Sequence, residues 1–261
     1  MGMYKRRKIA IGNLKRLVKD PAKVLFIHYS ASKTFDDDYG NISPIITSIV
    51  IKSLDGAIDT QFAIHFEADK ADITIDQIHD SYRDLELRIL KAFNNFARRH
   101  QDYIWVHWNM KNIHFGFEAI KHRYEKIFED SADYFEIPSN QKKDLQVIIE
   151  GMYGDHFVNG PDQLRSLLEC NSNNTTDPNY LRAEDEAKQF ENKNFEVVIK
   201  SIDTKVEFLK KATQRLCDKK LVIVNKNYYA IFIDVVNHPL FTFSGWAIGL
   251  IGLILAMVTL S

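Results

Sequence analysis

The sequence predicts an α/β protein: a mixed sheet flanked by helices, followed by a single C-terminal transmembrane helix. Three observations predict it. Short runs rich in β-branched and aromatic residues recur at strand length, with turn residues between them. A helical pattern separates the third run from the fourth, which permits a parallel crossover in a sheet that begins as a meander. Leu240 to Leu260 carries no charged residue, and about 20 apolar residues suffice to cross a bilayer.

The basic N-terminal arm, residues 1–21, comes first. Lys5, Arg6, Arg7, Lys8, Lys15, Arg16 and Lys19 all precede the first acid, Asp20. Ile11, Leu14 and Val18 share one helix face, with basic residues around them. Such an arm suits anionic lipid or phosphates, or serves as a solvated cap on the domain. It is not a secretory signal, because no continuous apolar core follows the basic residues.

After Pro21, Val24-Leu-Phe-Ile-His-Tyr-Ser30 reads as a buried strand. A polar loop with Asp36-Asp-Asp38 follows, and its three acids read as solvated rather than as a metal site. Ile45 to Ile51 is the second strand. Asp55-Gly56 marks a turn, and Thr60-Gln-Phe-Ala-Ile-His-Phe66 is the third strand. Ile75, Ile78, Tyr82, Leu85, Ile89 and Phe93 then repeat at helical spacing up to Arg99. Tyr103-Ile-Trp-Val-His-Trp-Asn109 is the fourth strand. Alternation places Tyr103, Trp105, His107 and Asn109 on one face, and Ile104, Val106 and Trp108 on the other. A helix follows from Phe115. Further helices open at Asp144 and Gln163, and a long helical region runs from Leu181 to about Leu216.

Overall charge selects no partner, since the net is −1 over 261 residues. Cys170 and Cys217 share no metal-ligand spacing and read as unpaired thiols of a reducing compartment.

The element order is an RNase H-like arrangement: an antiparallel meander whose first strand pairs in parallel with the fourth. With three short stretches, it makes the span from Val24 to Leu216 resemble the DEDD family of 3′-to-5′ exonucleases, and the RNase H-like domain is drawn at 22–218. That family's first motif is a strand ending Asp-x-Glu; here His28 and Ser30 hold those positions. Its second is a His-Asn pair followed by an Asp; His107-Trp-Asn109 is similar, but no acid follows through Phe117. Its third is similar to Leu181-Arg-Ala-Glu-Asp-Glu-Ala187, where Asp185 and Glu186 remain. Cleavage with two metal ions needs several carboxylates around close divalent ions. The resemblance therefore implies a groove kept and a chemistry lost, with no metal or other cofactor. A rival site is a single softer ion held by His28, His107 and Asp185.

The implied ligand is a single-stranded DNA or RNA oligomer. Tyr29, Trp105 and Trp108 offer flat faces for bases. His28, His107, Asn109 and Asp185 surround the strand ends, and Lys111, Arg123 and Arg182 are candidates for phosphates.

An apolar connector, 219–238, leads to the transmembrane helix, 239–261. Pro239 suits its first turn and Trp246 an interface. Gly245, Gly249, Gly252 and Ala256 share one face, a small-residue pattern that lets helices pack closely in lipid. The expected assembly is a homo-oligomer, taken as a tetramer, because one span cannot enclose a pore. The expected location is the bacterial inner membrane, single-pass and tail-anchored, with the body in the cytoplasm. This architecture is similar to membrane effectors of bacterial antiphage defence, of the Hailong type, in which a single-stranded DNA oligomer is the signal. The implied function is control of an oligomeric channel or membrane-disrupting assembly by a bound oligomer. The alternative is a membrane-tethered, metal-dependent 3′-to-5′ exonuclease.

Overall fold

A computed structural model of the protein describes residues 3–32, 44–112, 115–128, 133–173 and 175–224. The apolar runs form strands β1 (Val24–Ala31), β2 (Ile46–Ser53), β3 (Asp59–Ala63) and β4 (Ile104–His107). Two short segments, β5 (Lys111–Asn112) and β6 (Phe115–Gly116), pair with each other. A last strand, β7 (Lys142–Asp144), completes a five-stranded sheet of order β3-β2-β1-β4-β7. The pairs β1–β2 and β2–β3 are antiparallel, while β1–β4 and β4–β7 are parallel. The helices are α1 (Met3–Lys19), α2 (Ile64–Lys70), α3 (Tyr82–Arg99), α4 (Phe117–Phe128), α5 (Leu145–Tyr153), α6 (Gln163–Cys170), α7 (Ala183–Glu191) and α8 (Phe195–Cys217). The protein is thus α/β, with a mixed sheet flanked by helices.

Register fixes which side chains share a face. Leu25 pairs with Trp105, and Phe26 with Val106. Leu25, Ile27, Tyr29 and Trp105 therefore project to one side, and Phe26, His28, Ser30 and Val106 to the other. On the first side Trp105 meets Phe93 and Phe96 of α3 edge-on, at 6.2 and 6.1 Å between centroids. On the second side α7 and α8 pack over β1.

Several boundaries differ from the sequence reading: the fourth strand ends at His107, and the helix expected from Phe115 begins at Phe117, after β6. The third strand stops at Ala63, and Ile64 begins α2, where Ile64 and Ala68 are buried one turn apart. The Phe62, Ile64, Phe66 alternation suggested a longer strand. The long helical region from Leu181 comprises two helices, with a break at Asn192–Asn194, where Lys193 takes a left-handed φ of 61°. The fifth strand is only three residues long and polar, so no apolar run announces it.

The basic arm is a helix docked on α5. Ala10 and Leu17 are buried and Leu14 is half-buried, while Val18 is 45% exposed. The buried stripe is therefore shifted from the expected Ile11, Leu14 and Val18. Close approach requires Gly151: a Cβ there would lie 2.9 Å from the Ala10 Cβ and 3.2 Å from the Arg6 carbonyl oxygen. Arg6 pairs with Asp155 at 3.5 Å, and Arg7 donates to the Met152 carbonyl.

At the other end, Leu221 and Ile223 are buried in the core. Asn171 bonds both the amide and the carbonyl of Val222. The body therefore continues past residue 218 to Val224, into the stretch read as connector. The expected transmembrane helix, with Gly245, Gly249, Gly252 and Ala256, lies outside the described residues, as does Asp36-Asp-Asp38. Among the described residues, no helix is long and apolar enough to cross a membrane.

Candidate functional site

The site lies on the α7–α8 side of the sheet, beside the carboxyl ends of β1 and β4. Its floor is a buried ion pair. Glu186, in the first turn of α7, and Lys205, on α8, have side chains only 2% and 4% exposed. The Lys205 ammonium donates to Glu186 Oε1 at 2.7 Å, and the Ser201 hydroxyl donates to the same oxygen at 2.6 Å. Lys205 also sits over the Tyr180 ring, 5.1 Å from its centroid. Burial pushes the Glu186 carboxyl above its usual range, and Lys205, Ser201 and Ser30 pull it back. His28 stands beside this pair. Burial first, then the Lys205 charge and His107, hold its pKa well below the usual 6.5, so it is neutral at physiological pH.

Above the floor is a cleft of about 580 Å³. One wall comes from the end of β4 and from α5: Trp108, Asn109 and Gln146. Asn109 has a left-handed φ of 50°, and its amide donates to Asp144 at 3.3 Å. This twist ends the strand alternation. Asn109 joins Trp108 in the cleft instead of His107. The opposite wall comes from the start of α6 and from the approach to α7. Tyr180 donates its hydroxyl to Asp162, whose carboxylate also accepts from the Arg165 amide at 3.1 Å as the cap of α6. Gln163 and Gln146 are bonded across the cleft at 2.8 Å. Arg182 stands exposed on the rim.

Of the residues singled out from sequence, His28, Trp108, Asn109 and Arg182 line this cleft. Tyr29 and Trp105 do not, being only 1% and 0% exposed. Both face the α3–α4 side, where Tyr29 accepts from the Gly116 amide at 2.8 Å. They are core side chains, as strand alternation requires once His28 faces the cleft. His107 opens on a separate cleft of about 370 Å³ with Lys142, Lys143 and Asp144. There it accepts from the Met110 amide at 3.3 Å. Arg123 is on the α3–α4 side, buried and paired with Glu86, whose carboxylate also accepts from the Ile46 amide at 2.7 Å. It is not placed to meet a phosphate in the groove. Asp185 turns away, bonded to Arg182 at 3.3 Å and Lys188 at 3.5 Å. Its neighbour Glu186 is the acid that enters. The Lys111 side chain lies outside the described residues.

Lys205, Tyr180, Asp162, Gln146 and Gln163 were not foreseen. Lys205 left a signal: it interrupts the apolar stripe Val198, Ile202, Val206 and Leu209 of α8, where a charge needs a partner. The loop-borne groups left none.

These donors do not fit a two-ion centre. His28 and Ser30 stand at the end of the first strand, Asn109 brings an amide, the Glu186 carboxylate is already held by Lys205 and Ser201, and that of Asp162 by the Tyr180 hydroxyl and the Arg165 amide. Nor do His28, His107 and Asp185 converge, since they face three different surroundings. Among the described residues no three His, Cys, Asp or Glu side chains are grouped to hold an ion. The arrangement suits recognition. It offers amides, an imidazole, a phenol bonded to the Asp162 carboxylate and one rim guanidinium over a floor whose charges cancel. Comparison with models of protein families, with curated proteins and with solved structures finds no match to this chain.

Proposed function

We propose that this protein is a membrane-anchored effector whose groove binds the end of a single-stranded nucleic-acid oligomer without metal ions. The bound state then controls an oligomeric assembly of transmembrane helices in antiphage defence. One observation carries the binding half: the buried Lys205–Glu186 pair beneath a cleft lined by His28, Trp108, Asn109 and Arg182. The strand order and the position of the cleft support an RNase H-like reading. In that reading the ammonium of Lys205 neutralises the retained motif acid Glu186, as metal ions neutralise the acids of the exonucleases the sequence resembles. A fixed ammonium neutralises a carboxylate but activates no water, so the groove holds an end without cutting it. The small net charge favours a few terminal nucleotides, read through base edge and sugar, over a long phosphate backbone. The membrane half rests on the uncharged run Leu240–Leu260 and its small-residue face.

The test is to purify the full chain in detergent and extract any nucleic acid that accompanies it. A short single-stranded species that is depleted from the Asn109→Gly/Arg182→Ala variant supports the reading. No nucleic acid with either protein, together with no binding of added oligomers, would falsify it.

A further inference from the structure

One face of α1 is cationic along its whole length. Ala10 and Leu17 face the body, while Lys5, Lys8, Lys15, Arg16 and Lys19 are exposed on the opposite side. The helix contains no acid. A Cβ placed on Gly12, in the middle of this stripe, meets nothing within 4 Å. Ile9 and Val18, 47% and 45% exposed, border it. From Lys5 to Lys19 the stripe runs for about 21 Å at the usual helical rise.

Its place in the fold is informative. Arg6 is pinned to Asp155, and the Val224 amide donates to the Phe157 carbonyl at 2.9 Å. The chain thus reaches Val224, the last described residue, close to the end of α1. Leu240, where the uncharged run begins, is 16 residues beyond Val224 (240 − 224). Such a stretch spans roughly 55 Å at most. A bilayer that takes up that run is therefore within reach of α1.

We propose that the cationic face of α1 lies on anionic lipid headgroups and gives the body a second, electrostatic hold on the membrane. The proposal rests on the membrane-anchored reading above. Interfacial helices combine basic residues with apolar ones that enter the headgroup–acyl boundary, and juxtamembrane basic clusters are drawn to anionic leaflets. Ile9 and Val18 favour lipid over nucleic acid, because acyl chains accept them and a phosphate backbone does not.

The experiment uses the full chain with Cys170→Ser, Cys217→Ser and Gly12→Cys, carrying a fluorophore on the new thiol. It is placed in nanodiscs of phosphatidylcholine, with or without phosphatidylglycerol. The label should be shielded from an aqueous quencher only in the anionic discs, and high salt should remove the shielding. Lys8→Gln, Lys15→Gln and Lys19→Gln should each weaken the contact roughly fivefold, with oligomer binding by the groove unchanged. Equal exposure in both lipids overturns the proposal and leaves the anchor standing. Shielding by duplex DNA in detergent, without shielding by anionic lipid, overturns it in favour of nucleic acid. Failure to float with vesicles of either composition overturns the anchor, and this proposal with it.

Discussion

Replacing Lys205 with Met removes the ammonium and keeps most of the stem, so the effect reports the charge rather than a cavity. In the folded protein the pair is 2.7 Å apart, with side chains 4% and 2% exposed. At an effective dielectric of about 20, that separation corresponds to an attraction of roughly 6 kcal/mol. Dehydration of the two charges offsets most of it. Removing one partner alone leaves a buried charge, which costs about 3–5 kcal/mol. Glu186 has an escape: burial already raises its pKa, so it takes a proton when Lys205 is gone. The cost of Lys205→Met should therefore shrink as the pH falls. Glu186→Gln strands the ammonium, with the Tyr180 ring as a neighbour. The double variant should recover at least about 2 kcal/mol relative to the sum of the single losses. Urea unfolding of the full chain in detergent, followed by near-ultraviolet circular dichroism at neutral and acid pH, measures all three. A Lys205→Met cost below about 1 kcal/mol, additive with Glu186→Gln, would refute a charged pair under the groove.

Three further outcomes are expected. Asn109→Gly keeps the left-handed backbone and removes the amide, and Arg182→Ala removes the rim cation; each should weaken oligomer binding by about 1–3 kcal/mol in fluorescence anisotropy, with only Arg182→Ala also lowering the salt dependence. His28 is held well below its unfolded value of 6.5, so the unfolded chain takes up a proton that the folded one refuses. Stability should fall as the pH drops below about 6.5, by up to about 1.4 kcal/mol per unit; denaturant midpoints check this, and His28→Gln should flatten the slope. Gly151→Val places a side chain against Ala10 and the Arg6 carbonyl, costing about 1–3 kcal/mol and loosening α1, which limited trypsin digestion at Lys8 and Lys15 would detect.

Most of the sheet was legible because its central strands are apolar runs with β-branched residues, and burial on both faces leaves that trace. β1, β2 and β4 follow the runs within a residue or two, apart from the polar end of β4. What was illegible came from tertiary context. Lys142–Asp144 forms a strand only because β4 offers it an edge. Asn109 leaves the alternation through a single left-handed residue, and this moves it from the His107 side to the cleft. Asp185 and Glu186 are adjacent acids, and the phase of α7 alone decides which one turns inward. Arg123 resembled a phosphate ligand until its partner Glu86, 37 residues earlier, was seen beside it. The two Trp of the fourth strand were separable by alternation, which sends Trp105 to the α3 side and Trp108, itself buried against Phe157, to the side of the cleft.

The most direct test of the central claim is anisotropy of a labelled single-stranded oligomer with the full chain, first in EDTA and then with Mg²⁺ or Mn²⁺, the oligomer's length being read afterwards on a gel. At matched ionic strength, saturable binding that requires neither Mg²⁺ nor Mn²⁺ is expected, with the oligomer recovered at full length. Binding that needs the metal, or an oligomer shortened from its 3′ end, would contradict it.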